Sequence, residues 1–91
     1  MEITDIKVRK LLNEGRLRGI VSITLDGVIA VHDIKIIQGD RRLFAAMPSR
    51  RDDSGIYRDI VHPISAASRA ELERRIIDAY LSAAADQNQP Q

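Results

Sequence analysis

The sequence predicts an α+β fold: a small antiparallel β-sheet of about five strands with a C-terminal helix packed on one face. Three observations carry this expectation. Leu17 to Leu25 alternates apolar and polar residues like a half-buried strand, and Asp26-Gly27 then supplies the pair that a two-residue type I′ hairpin turn requires. Pro48 and Pro63 each stop a further apolar run. Ser68-Arg69-Ala70-Glu71 matches a capping box and opens a stretch whose apolar residues recur at helical spacing.

In chain order, Ile3 to Arg9 reads as a first strand and Asn13-Glu14-Gly15 as the turn that follows it. Leu17, Val21, Ile23 and Leu25 fall on one face of the second strand, with Arg18, Ser22 and Thr24 on the other. A two-residue turn sets the register of the third strand, Val28 to Ile37. It places Leu25 opposite Val28, Ile23 opposite Ala30, Val21 opposite His32, Gly19 opposite Ile34 and Leu17 opposite Ile36. The other face then pairs Thr24 with Ile29, Ser22 with Val31, Ile20 with Asp33 and Arg18 with Lys35. Leu43 to Met47 is a fourth strand, Ser49 to Gly55 a charged loop, and Ile56 to His62 a fifth strand. The helix stripe consists of Leu72, Ile76, Ala79, Tyr80 and Ala83. One domain over residues 1–85 and a flexible tail over 86–91 complete the expected layout.

Composition narrows the function. A chain of 91 residues buries only about 60–65% of its unfolded surface, so covering more of it with a second copy is favourable. The absence of cysteine removes disulfide and thiolate chemistry. No apolar run approaches the roughly 20 residues of a membrane span, and no secretion signal is read at the N-terminus, so a cytoplasmic, nucleoid-compatible location is expected. Phe44, Tyr57 and Tyr80 are the only aromatics, which argues against modules that stack bases on exposed rings.

Net charge is only +1, but its distribution is uneven. Arg41, Arg42, Arg50, Arg51 and Arg58 gather around two turns, and Lys7, Lys10 and Lys35 are the only lysines. Arginine's planar fork suits phosphate. Arg41-Arg42 and Arg50-Arg51 bracket a strand about 17 Å long at ~3.4 Å per residue, comparable with the ~12 Å width of a DNA major groove. Two readings of Arg50-Arg51 stand side by side: a phosphate grip, or surface charge neutralised by Asp52-Asp53. Arg18 facing Lys35 asks for either a neighbouring acid or an anion. Arg69, at the helix start, can add to a basic surface, whereas Arg74 is spaced to pair with Asp78.

Catalysis is not expected. His32 and Asp33 are strand neighbours and point to opposite faces, so they form no dyad, and His32 is expected in the core. His62 reads as a turn residue. No metal-ligand spacing, phosphate loop or nucleophile elbow is present, so no metal, cofactor or small-molecule substrate is anticipated.

Several ordered segments together resemble the sporulation stage V protein G (SpoVG) family: Met1 to Ile6, Ser22 to Asp26, Val31 to Ile37, Leu43 to Arg51, Tyr57 to Ile60, His62-Pro63-Ile64 and Arg69. The resemblance implies a dimer with a small antiparallel sheet and a C-terminal helix that binds DNA, and in some members RNA. It also implies a role in gene regulation, sporulation and cell division. By the same resemblance, Arg50-Arg51 occupies the basic pair that contacts nucleic acid after the Ala-Met-Pro-Ser run. The Asp40-Arg41-Arg42 turn departs from the neutral, glycine-containing turn usual there. The expected function is thus a dimeric nucleic-acid-binding regulator using Arg50, Arg51, Arg41, Arg42, Arg58 and Arg69. The alternative is a protein-interaction module using the basic loop or an exposed sheet edge.

Overall fold

A computed structural model describes residues 2–88. The chain forms β1 (Ile3–Leu11), β2 (Leu17–Leu25), β3 (Ile29–Gln38), β4 (Leu43–Ala46), β5 (Ser49–Arg51), β6 (Tyr57–Asp59) and α1 (Ala66–Asn88). Strands β1 to β4 make an antiparallel sheet in chain order, while β5 and β6 make a separate two-stranded ribbon. The α+β class is as expected, but the single five-stranded sheet divides in two. Pro48 is the reason. It has no N–H to give the ladder beyond Ala46, and the start of the charged stretch expected as a loop instead forms β5, which pairs with β6 from the expected fifth strand.

The β2–β3 turn has the chemistry read from the sequence. Asp26 and Gly27 have φ of 52° and 67°, and the Val28 amide donates to the Leu25 carbonyl at 2.9 Å. The register built on that turn is nevertheless one residue off. Leu25 pairs with Ile29, not Val28, and Ile23 with Val31, not Ala30. Val28 is left out of the ladder and stands 81% exposed. A second irregularity follows, where His32 and Asp33 together oppose the single residue Ser22, and Asp33 adopts a left-handed φ of 63°. Val21 then pairs with Ile34 and Ile20 with Lys35, so Arg18 does not face Lys35.

These bulges correct two residues. Val31, expected on the outer face, is buried in the core. His32, expected in the core, is exposed on the other face. Register shifts in β1 around Thr4 and Arg9 bend the first edge in the same manner.

The core lies between the sheet and α1. Val21, Ile34, Ile36 and Ile76 are fully enclosed, joined by Ile23, Val31, Ala45 and Tyr80, with Leu72, Ile77 and Ala84 packed against them. Burying each such aliphatic side chain contributes about 1.5–3 kcal/mol. Gly19 admits the Tyr80 ring: a Cβ there would lie 3.1 Å from the ring and 3.1 Å from the Lys10 carbonyl.

The helix begins earlier than its capping-box motif suggests. Ser65, not Ser68, is the N-cap: its Oγ accepts the Ser68 amide at 3.1 Å and donates to the Ser68 hydroxyl at 2.7 Å. The helix continues through Asn88, past the expected start of the tail; residues 89–91 lie outside the described residues. Among the described residues, no helix is long and apolar enough to cross a membrane.

Candidate nucleic-acid interface

The β5–β6 ribbon positions most of the loop arginines. Its register sets Ser49 opposite Asp59, Arg50 opposite Arg58 and Arg51 opposite Tyr57. Arg50 and Arg51 are therefore not a pair on one loop. As neighbours on a strand, they project from opposite faces of the ribbon. The connecting loop is a tight turn in which Gly55, with φ of 84°, donates to the Asp52 carbonyl at 3.0 Å, and the Asp52 amide donates to the Ile56 carbonyl at 2.9 Å.

Asp52 holds this ribbon closed. Its Oδ1 accepts the Ser54 amide at 2.9 Å and the Ile56 amide at 3.0 Å, and its Oδ2 accepts from Arg58 Nε at 2.8 Å. The Arg58 bond, then the Ile56 amide, hold its carboxyl below the usual aspartate range. The same carboxylate offsets the like charges of Arg50 and Arg58, which sit directly across from one another. Among the described residues, Arg50 and Arg51 have no carboxylate within ion-pair distance, and both are exposed.

The remaining expected cations fall elsewhere. Arg42 forms an ion pair with Glu73 of α1, and both line an open groove with Arg69, Arg74 and Asp78. Arg74 is itself held by Glu71 at 2.8 Å and by Asp78 at 3.4 Å. Arg41 stands exposed on the β3–β4 turn. The structure thus groups Arg50, Arg51 and Arg58 on the ribbon, and Arg42 and Arg69 beside the helix, with Arg41 alone.

A further polar constellation, which the sequence reading did not single out, lies on the sheet face opposite α1. Ser22 sits between core residues Val21 and Ile23 and so points away from the helix, yet it is only 6% exposed. Arg9 Nε reaches its Oγ at 3.3 Å and His32 Nδ1 lies 2.9 Å from the same oxygen. Lys7 is the registered partner of Ser22 on β1. A serine so enclosed is poorly placed to meet a substrate directly. Two local bulges create this cluster, which is why a regular register hides it.

The family model described as SpoVG matches residues 1–82. The chain belongs to the SpoVG family. A relative from Desulforudis audaxviator, named "Putative septation protein SpoVG", is 51% identical over 80 residues, covering 88% of this chain and 91% of its own. The SpoVG protein of Heliobacterium modesticaldum is 49% identical over 85 residues, covering 93% and 96%. That of Clostridium beijerinckii is 45% identical over 87 residues, covering 96% of each chain. The SpoVG match spans both the four-stranded sheet and the arginine-bearing ribbon.

Proposed function

We propose that this SpoVG-family chain is a dimeric, non-enzymatic regulator with a septation-related role that acts by binding nucleic acid. The relatives' names support the septation-related part of this reading. The observation that carries the nucleic-acid part is the ribbon, where Arg50 and Arg51 extend to either side without a carboxylate partner among the described residues. A two-stranded ribbon fits a DNA major groove, and cations on both its faces can meet the phosphates of both strands. Affinity comes mainly from arginine–phosphate contacts, so it falls steeply with salt. A cytoplasmic location at the nucleoid suits this role.

Apolar surface left uncovered at and beyond the ribbon supports the dimer. Ile56, Tyr57, Ile60 and Ile64 are 53%, 70%, 67% and 93% exposed, a concentration of apolar surface that a second copy can bury. Sedimentation at micromolar concentration should return a dimer mass.

Fluorescence anisotropy with duplex and single-stranded probes tests the binding. Binding at physiological salt that weakens on Arg50→Ala/Arg51→Ala supports the proposal. No binding to either probe favours the second reading, in which the same apolar and basic surface docks a protein partner.

A further inference from the structure

We propose that the open face of the four-stranded sheet carries a phosphate-binding site built from Lys7, Arg9, Ser22 and His32, separate from the ribbon arginines. Three strands contribute: Lys7 and Arg9 from β1, Ser22 from β2 and His32 from β3. Ser22 is the buried hub that fixes the geometry. Its Oγ accepts from Arg9 Nε at 3.3 Å and bonds His32 Nδ1 at 2.9 Å, so both side chains are held in place before any ligand arrives.

The donor pattern defines the ligand. Where the Ser22 hydroxyl donates to His32 Nδ1, the ring proton sits on Nε2, and that tautomer turns a donor away from Ser22. Arg9 retains its two terminal nitrogens, and Lys7 adds an ammonium from the neighbouring register position. No ion pair among the described residues engages Lys7, Arg9 or His32. Donors from three side chains suit a tetrahedral oxyanion, with Asp5, opposite Thr24, bounding the site on one side.

The backbone points the same way. Arg9 lies at the β1 register shift, and His32 and Asp33 form the β3 bulge, so two irregularities flank Ser22 from opposite sides. Bulges re-aim side chains and gather beside functional sites. Asp33 holds its bulge at φ of 63°, a conformation that costs free energy for a residue other than glycine. Lys10 and Lys35 flank Ile20 in the register two residues along β2. That is about 7 Å away at ~3.4 Å per residue, placing further positive charge where a nucleic-acid strand would continue.

Nitrogen-15 NMR of the full chain, at constant ionic strength, tests the site with three probes: inorganic phosphate, a 5′-nucleoside monophosphate and a short single-stranded oligonucleotide. The Arg9 Nε, Ser22 amide and His32 ring signals should shift saturably with at least one of them. Loss of one charged hydrogen bond should weaken that response about 10-fold or more in Arg9→Gln, and His32→Gln should weaken it as well. It should persist in Arg50→Ala/Arg51→Ala, which separates this site from the ribbon. Saturation by either small probe identifies a discrete phosphate ligand; saturation by the oligonucleotide alone identifies strand phosphate. Should Arg9→Gln not fold, Lys7→Gln, at an exposed position with no bond to Ser22, takes its place. Signals that match a chloride control, or shifts unchanged in the variants, overturn the proposal.

Discussion

Asp52→Asn should strengthen nucleic-acid binding, because in the native chain Arg58 is already engaged. Two amides and one guanidinium meet the Asp52 carboxylate: Ser54 and Ile56 on Oδ1, Arg58 on Oδ2. An asparagine keeps the first oxygen as an acceptor and replaces the second with an NH2 group, which cannot accept from Arg58. The turn is preserved while Arg58 is released on the ribbon face it shares with Arg50. Each added phosphate contact steepens the log–log salt dependence on duplex DNA by about 0.9. One freed arginine in each subunit of a dimer therefore adds up to about 1.8. Between roughly 50 and 200 mM salt, that increment alone makes affinity fall about 12-fold further. Anisotropy titrations across this range should show a steeper slope for Asp52→Asn, its reversal in Asp52→Asn/Arg58→Ala, and little change for Arg58→Ala alone. A slope that is unchanged or shallower in Asp52→Asn, with the Ser54 and Ile56 amides still protected, refutes the account of Arg58 as a held-back cation.

Further outcomes follow from the same structure. Ile76→Ala removes the fully buried helix anchor and should lower unfolding free energy by about 2–5 kcal/mol in a denaturant titration. Gly19→Ala presses a methyl group against the Tyr80 ring and the rigid Lys10 carbonyl, and should cost about 1–3 kcal/mol by the same assay. Ser65→Ala should lower stability by about 1 kcal/mol, more than Ser68→Ala, because Ser65 is the residue that caps α1. Acid should open the ribbon selectively. Since the folded Asp52 pKa is depressed, its contribution is complete above the unfolded value of about 3.9 and is lost as pH falls through the lower folded value. The Ser54 and Ile56 amides should lose exchange protection in that acid window before the core amides do.

The elements were largely legible because each rests on a local rule. The Asp26-Gly27 turn, the β2 alternation, the Pro48 stop and the Ile76/Tyr80 stripe all act over a few residues. The ribbon was less legible. Ser49-Arg50-Arg51 has neither apolar alternation nor strong strand propensity, and pairs because the Asp52-to-Gly55 turn folds it onto β6. The helix start was missed for a similar reason. Ser65 and Ser68 both suit a cap, and only the backbone path after Pro63 decides between them. Among the site residues, the presence of arginine was readable, but its partners were not. Glu73 lies 31 positions from Arg42, and only the packing of α1 beside β4 brings the two together.

The register error is the more instructive difference, because the sequence contains its remedy. In a regular strand, core residues recur every second position. The core-facing residues of β3 are Val31, Ile34 and Ile36, preceded by Ile29 in register with Leu25, so their parity changes between positions 31 and 34. Those of β1 are Ile3, Ile6, Val8 and Leu11, with parity changes between 3 and 6 and between 8 and 11. Each change coincides with a register shift, at Thr4, at Arg9 and at His32-Asp33. A three-residue gap within an otherwise alternating strand is therefore the mark of a bulge. Read that way, the third strand turns Val31 inward and His32 outward, and the first turns Arg9 toward Ser22. Two of these irregularities, at Arg9 and at His32-Asp33, bring side chains to Ser22 in the polar cluster on the open face, whereas the one at Thr4 serves the β2–β3 turn through the Gly27 amide. At those two positions the break in alternation has a definite consequence: it is what sets Arg9 and His32 against the Ser22 hydroxyl.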